Sequence, residues 1–329
     1  MTFQQEYRGK KTLITGGLGF IGSTLAIRLV KLGAEVTVLD NELPDAGANR
    51  FNISPIIQDV RLIVGDIGDP EQVSEAIVGQ DFIFNLAGTL NHVMSMKLPA
   101  RDLHANCEAH VTLLETCRKK NPEARILYAG TRGQYGSPRS VPVSEDHILH
   151  PVDVNGINKT AGESYHLLYA RHYGMHCTSL RLSNTFGPRH QMKHPGQGVL
   201  NWFIRQIIEE KPVLIYGDGT QVRDAHYVDD VVDAMLAALA SPRTSGEAYN
   251  LGGYPFSLKA FAELLIQTFG SGRLEMRSYP EEAKSVEIGD YIADCSKIKK
   301  ELGWTCHISP AEGIRRTLDY YQLHQKQYW

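Results

Sequence analysis

The sequence predicts an α/β chain, a doubly wound parallel sheet followed by a smaller C-terminal α/β lobe, and three observations carry that prediction. Short apolar runs alternate with helix-periodic segments from Lys11 to Leu182, most of the runs are apolar throughout, and the rhythm breaks after Asn184. A strand covered by helices on both faces reads as a continuous apolar run. Alternating strands and helices imply a parallel sheet joined by right-handed crossovers.

The elements follow in order. Lys11–Thr15 is a short apolar run closed by glycines, which reads as a buried strand. From 20 to 32, Ile21, Leu25 and Leu29 recur at helical spacing and Gly33 ends the segment. Residues 35–39 form a second strand ending at Asp40, and 61–64 a third, followed by Gly65, Asp66 and Ile67. A short helix near 70–78 leads to a fourth strand at 81–86, with a Phe-Ile-Phe core. A long helix near 101–120 precedes a fifth strand at 124–129, and a helix near 156–173 precedes a sixth at 176–182. Beyond 184 come loops rich in Gly, Pro and His (187–198), then scattered helices and short strands. A helix over 229–239 and the run Tyr249-Asn-Leu-Gly are expected to return to the large sheet. The predicted division is therefore 1–185 with 225–252 as one domain, and 186–224 with 253–329 as the second.

Composition excludes several classes of function. At roughly 150 residues per domain, 329 residues suit about two domains. Lys plus Arg is 34 and Asp plus Glu 37, a net charge of −3, which lacks the basic excess of a nucleic-acid binder. With 42% hydrophobic and 22% charged residues, the chain can bury a core, so disorder is excluded. Five cysteines, an odd number with no CxxC pair, fit a reducing compartment. The first residues, MTFQQEYRGKK, show no signal-peptide pattern, and no apolar run approaches the ~20 residues of a membrane span. A cytoplasmic protein with no nucleic-acid or membrane partner is expected.

The segment Thr15-Gly16-Gly17-Leu18-Gly19-Phe20-Ile21-Gly22 lies between a predicted strand and a predicted helix. Asp40 ends the next strand about 20 residues on, the spacing of a dinucleotide fingerprint. In that pattern Gly16 makes the tight turn, Gly19 admits a pyrophosphate to the backbone and Gly22 permits close helix packing. The helix N-terminus supplies amide donors and a favourable dipole. Asp40 suits the adenosine ribose hydroxyls and repels a 2′-phosphate, and its neighbour Asn41 offers no cation. NAD is therefore expected rather than NADP, on a Rossmann-type sheet.

These motifs, with those that follow, resemble the extended short-chain dehydrogenases/reductases that act on nucleotide sugars, the UDP-glucose 4-epimerase-like epimerase/dehydratase group. The likeness runs from TGGLGFIG at 15–22 through GDI at 65–67, NLAG at 85–88 and the Asn106 helix. It continues in TRGQYG at 131–136, NK at 158–159, RLSNTFGPR at 181–189, YGDGTQVRDAHYVDD at 216–230 and ADCSKIKKELGW at 293–304. The resemblance implies that Phe20, Ile21 and Asn41 join the fingerprint residues around NAD. It places Asp66 and Ile67 beside the adenine, and Leu86, Ala87, Gly88 and Asn106 farther along the cofactor. Lys159 corresponds to the lysine on the nicotinamide ribose, and Thr131 to the hydroxyl that holds the reacting sugar oxygen. Asn184 and Arg223 correspond to residues that hold the substrate's diphosphate and nucleotide, with Val199 and Gln221 beside them. By the same analogy a UDP-sugar is the expected substrate, and the helices 101–120 and 157–173 would pair two copies as a homodimer.

One departure matters most. The family's general-base tyrosine lies four residues before its lysine, and here that position is Asn155. An amide cannot take a proton, and losing a positioned base costs about 10²–10⁴-fold in rate. Lys159 with a lowered pKa, Tyr135 and His92 are the candidate substitutes, while Asn155 itself would hydrogen-bond substrate or a water relay. The slots after Thr131 hold an acid pair in the 4,6-dehydratases and keep a glutamate second in the related decarboxylases. Here they are Arg132 and Gly133, so elimination lacks its proton shuttle, and Arg132 becomes a candidate substrate contact.

Other constellations are bland. His104, Cys107 and His110 are spaced three apart on one helix but lack a fourth ligand, so no metal is expected. His190 and His194 bracket a Pro/Gly-rich loop that suits substrate contact better than metal. Trp202, Phe203, Ile207 and Ile208 follow helical spacing and read as core. No GxSxG, HExxH or P-loop occurs. The expected function is an NAD-dependent nucleotide-sugar epimerase with non-standard acid/base chemistry. A dehydratase or oxidoreductase is the alternative within the family, and a catalytically silent binding protein is the alternative outside it.

Overall fold

The computed structural model describes residues 3–43, 46–194, 196, 198–280 and 287–329. Seven parallel strands form the main sheet: β1 Lys11–Thr15, β2 Glu35–Asp40, β3 Val60–Val64, β4 Phe82–Asn85, β5 Arg125–Thr131, β6 His176–Leu182 and, from far along the chain, β10 Ala248–Leu251. Their spatial order is β10-β6-β5-β4-β1-β2-β3. The order reverses between β1 and β4, the switch point at which such sheets open a crevice beyond their strand ends.

The continuous apolar runs are explained by burial on both faces. Leu13, Ile14, Ile83, Phe84, Ile126, Leu127 and Leu180 are fully buried, and each such side chain contributes about 1.5–3 kcal/mol. The helix Val228–Ala240 covers one face beside Phe20–Lys31, placing Val231, Met235 and Leu239 in the core against β5 and β6. On the other face lie Pro70–Ile77 and Ala109–Lys120.

The predicted long helix near 101–120 is one helical rod in three pieces, Pro99–Leu103, a π turn at His104–Glu108 and Ala109–Lys120. Such turns insert a residue and commonly mark functional sites. The helix Val154–Tyr173 starts two residues earlier than its periodicity suggests. Asp153 caps it, accepting a hydrogen bond from Gly156 N at 2.7 Å, and Gly174 closes it in the left-handed region. A short helix, His92–Lys97, capped by Asn91, is absent from the sequence reading.

The smaller lobe holds two further sheets, one of three strands and one of two. β7 Asn184–Phe186 pairs in parallel with β9 Val222–Tyr227, which pairs antiparallel with β11 Tyr254–Ser257. β8 Val213–Tyr216 pairs with β12 Leu274–Arg277. The helices Val199–Ile208, Leu258–Phe269 and Pro310–His324 close over them around Phe186, Phe203, Phe261 and Tyr321. Phe203 and Ile207 are core, and the half-buried Ile208 packs against it. One boundary is corrected. The segment around the helix Ser296–Leu302, assigned above to the lobe, packs on the large sheet through Ile298 and Trp304, whose indole N–H donates to Asp230 O at 2.9 Å. All five cysteines are free thiols. No helix among the described residues is long and apolar enough to cross a membrane.

Candidate active site

A cleft of about 530 Å³ opens at the switch point, beyond the carboxyl ends of β1 and β4. At one end the turn after β1 is built from backbone. Gly16 has φ +70°, and a Cβ there would lie 3.0 Å from Leu86 O and Ala87 N. Gly22 cannot carry a side chain either, since its Cβ would come within 2.3 Å of Gly16 O. The helix Phe20–Lys31 starts at Gly19 with no side chain capping it, so its first amides are left for a ligand. Gly19, Phe20, Ile21 and Gly22 all line the cleft. An uncapped helix end over a bare backbone turn fits the diphosphate of a dinucleotide.

Asp40 lies at the tip of β2, its carboxylate accepting from Leu18 N at 3.0 Å and Glu42 N at 2.9 Å. Burial raises its pKa against the lowering effect of those two amides. Asn41 donates from Nδ2 to Asp66 at 2.8 Å, and Asp66 also accepts from Gly68 N at 2.7 Å, so the two loops are tied together at this end of the cleft. Ile67 lines the cleft beside them. Arg50, nearby in sequence, is paired with Glu42 at 2.6 Å.

At the other end, Leu86 N and Ala87 N donate to Thr15 Oγ1 at 3.1 and 3.2 Å, which fixes the loop that carries Gly88. Lys159 is 3% exposed and its ammonium donates to Ala129 O at 3.2 Å. Burial pushes its pKa down to about 8, against the opposing pull of Asp102. Thr131 and Arg132 line the cleft where β5 ends, and Thr131 Oγ1 accepts from Gly133 N at 3.2 Å. Arg132 donates from Nε to Asn184 Oδ1 at 2.8 Å. Burial, reinforced by Arg223, lowers its pKa to about 10, and it forms no ion pair among the described residues.

His92 lines the same end of the cleft, with Nδ1 2.7 Å from the Asp153 carboxylate. Burial works to raise the Asp153 pKa, but the hydrogen bonds from His92 and Gly156 hold it below the usual carboxylate range. A point beside Gly133, at its absent Cβ, is 3.4 Å from His92 Cε1 and 3.6 Å from Thr131 Oγ1, so the imidazole and the hydroxyl flank one spot.

The remaining candidates fall elsewhere. Asn155 borders the cleft but is 1% exposed, and its Nδ2 donates to Thr89 O at 2.8 Å and Asp102 Oδ2 at 3.1 Å. Tyr135 is corrected as a candidate base. It is fully buried, its hydroxyl donating to Asn250 Oδ1 at 2.6 Å and accepting from Arg181 at 2.6 Å, and burial raises its pKa. Asn106 lies behind the cofactor loop, where it bonds Thr89 N at 3.1 Å and Thr89 Oγ1 at 2.8 Å instead of lining the cleft. Asn184 and Val199 line the cleft. Gln221 and Arg223 do not: Gln221 donates to Tyr279, and Arg223 is held by the Gly289 carbonyl and the Glu287 carboxylate. Among the described residues no cluster of His, Cys, Asp or Glu is placed to hold a metal ion.

Two acids were missed by sequence reasoning. Asp102 is 4% exposed and accepts from Thr89 Oγ1, Asn155 and Asn158 at 2.9–3.1 Å. Its one-turn spacing from Asn106 was the available signal. For Asp153 the available signal was an Asp just ahead of a helix, which marks a cap and says nothing of chemistry.

Fold and cleft together define an NAD-binding enzyme of the Rossmann class. The profile of the NAD dependent epimerase/dehydratase family matches residues 12–252. The UDP-glucose 4-epimerase of Mycolicibacterium smegmatis is 30% identical, covering 95% of this chain and 98% of its own. The UDP-glucuronic acid decarboxylase 1 of Xenopus tropicalis is 32% identical over 97% of this chain and 74% of its own. Among solved structures, the UDP-glucose 4-epimerase of Thermotoga maritima with UDP-glucose superposes with a TM-score of 0.87 at 30% identity, covering 96% of this chain and 99% of that one. The chain belongs to the NAD-dependent epimerase/dehydratase family, and its cofactor is NAD.

Proposed function

We propose that the protein is a cytoplasmic nucleotide-sugar epimerase that acts on a UDP-sugar and works as a homodimer. One observation carries the choice of reaction. Among the described residues the only carboxylates lining the cleft are Asp40 and Asp66, both at the adenosine end. Elimination or decarboxylation at the sugar would have to proceed beside Arg132 and Gly133 with no carboxyl group lining the cleft there. Epimerisation needs one group that removes a hydroxyl proton and returns it.

NAD, when bound, supplies reversible hydride acceptance. Gly16, Gly19 and the first turn of Phe20–Lys31 would hold its diphosphate, Asp40 one ribose and Lys159 the other. Thr131 would orient the reacting hydroxyl, with Arg132, Asn184 and Val199 on the rest of the substrate. The segments 186–224 and 253–329, apart from the stretch packed on the large sheet, would form the sugar-nucleotide lobe. Exposed Leu103, Ile157, Tyr165 and Leu168 on the outer helices support a dimer face. The test is product analysis by NMR after incubation with UDP-glucose, UDP-galactose and their N-acetyl and uronic counterparts. An epimer at one carbon is expected, and a 4-keto-6-deoxy sugar or a pentose would refute the reading. Light scattering checks the dimer.

A further inference from the structure

We propose that His92, oriented by Asp153, is the group that takes the proton from the substrate hydroxyl, the task left open by Asn155. The proposal rests on the epimerase reading above. Four side chains compete for the role, and the structure separates them. Asn155 has both amide protons committed to Thr89 O and Asp102. Tyr135 is sealed in the core. Lys159, with its pKa near 8, is mostly an ammonium at neutral pH and donates to Ala129 O, so it has no lone pair to offer.

His92 does. Its ring lines the cleft, 41% of the side chain is exposed, and Nδ1 is committed to Asp153 at 2.7 Å. Nε2 has no protein partner among the described residues. An imidazole whose Nδ1–H is held by a carboxylate keeps the tautomer in which Nε2 accepts, and the carboxylate stabilises the imidazolium that forms. Asp153 is itself fixed. It is 5% exposed and caps the helix Val154–Tyr173 through Gly156 N, so its second oxygen is aimed rather than free. Arg132 lies close enough to help keep that carboxylate charged. Thr131 flanks the same spot, ready to hold the oxygen as it gains charge.

The step balances. The hydroxyl O–H bond breaks and its proton goes to His92 Nε2. The C–H bond on the same carbon breaks and its electron pair leaves as hydride to NAD⁺, and a carbonyl forms. When hydride returns to the opposite face, His92 gives the proton back to oxygen. His92 is then the catalytic residue and Asp153 a positioning residue.

The experiment has two arms. In the first, ¹⁵N NMR of the NAD-loaded protein, with His92→Gln for assignment, is expected to show His92 as the Nδ1–H tautomer. A UDP-sugar, but not UDP alone, should shift its Nε2 resonance. An Nε2–H tautomer, or no shift with a sugar nucleotide that binds, overturns the proposal whether or not turnover is seen. In the second arm, His92→Gln should retain UDP-sugar affinity within about threefold while single-turnover absorbance at 340 nm slows by about 10²–10⁴-fold. Added imidazole should restore His92→Gly at least tenfold. Asp153→Asn keeps the helix cap, so it should lower kcat at unchanged KM and shift the tautomer towards Nε2–H. Full activity of His92→Gln, or a bound but unrescued His92→Gly, overturns the role of the dyad. A wild-type product other than an epimer refutes the function reading instead, and the NMR arm still decides the dyad.

Discussion

Asn155→Asp changes one atom and inverts the hydrogen bonding of the amide that ties Thr89 to Asp102. In the wild type, Asn155 Nδ2 donates to Thr89 O at 2.8 Å and to Asp102 Oδ2 at 3.1 Å. An aspartate oxygen in that place faces two acceptors. Two hydrogen bonds are lost, about 1 kcal/mol for the carbonyl and about 1.5–3 kcal/mol for the carboxylate. Two charges at 3.1 Å add about 5 kcal/mol of repulsion at an effective dielectric constant of about 20, an upper figure because the pair can escape by sharing a proton. The position is 1% exposed, so water cannot relieve it. A net loss of about 3–5 kcal/mol lowers Tm by about 4–7 °C, since an unfolding entropy of about 2.1 cal/mol/K per residue over 329 residues is about 0.7 kcal/mol/K. Differential scanning calorimetry of the wild type, Asn155→Asp and the exposed control Ser164→Asp on the same helix measures it. A Tm within 2 °C of wild type for Asn155→Asp would refute the claim that Asn155 clamps Asp102 and the cofactor loop.

Asn155→Tyr should not raise turnover of any UDP-sugar, because the phenol would displace the clamp; a sharp gain would mark the site as a decayed version of the usual one. Gly22→Ala drives a Cβ to 2.3 Å from Gly16 O, an overpacking cost of about 1–3 kcal/mol, and calorimetric titration should show NAD affinity falling at least tenfold. Asp40→Asn removes the charge proposed to face the ribose, and the ratio of NAD to NADP dissociation constants should move at least tenfold towards NADP. In the apo protein the NAD affinity should weaken as pH rises through about 8, where Lys159 loses its proton, and Lys159→Met should abolish that dependence. The same lysine has a stability signature of definite sign. Its folded pKa lies below the ordinary 10.5, so the buried ammonium costs stability below about pH 8, and that cost fades as pH climbs from there towards 10.5.

The strands and helices of the large sheet were legible because double-sided burial writes itself as unbroken apolar runs, as in Phe82–Asn85 and Arg125–Thr131. The glycine turn was legible because only backbone fits between Gly16, Leu86 and Gly22. The lobe was not, since its strands are short and its helices meet a core shared across distant segments, as Trp304 shows by packing against Val228–Ala240. At the site, reading by position placed Thr131, Lys159, Asn184 and His92 on the cleft. It failed for Tyr135, because the short turn Arg132–Tyr135 sends that side chain inward to Arg181 and Asn250. It missed Asp102 and Asp153, since a polar partner drawn from another element leaves no periodic trace.

The route of the chain has a consequence for how such a protein can change. Strand β10 enters the large sheet after β7, β8 and β9 have already been laid down in the lobe, and the segment carrying Trp304 comes back once more. The smaller lobe is thus threaded through the domain of the large sheet, not hung from its end. Neither can be exchanged like a cassette, and heat should melt both in one calorimetric transition. New specificity in such a chain has to arise by rewriting side chains and loop lengths in place, and Asn155, in the slot where the family resemblance implies a tyrosine, fits a change of that kind.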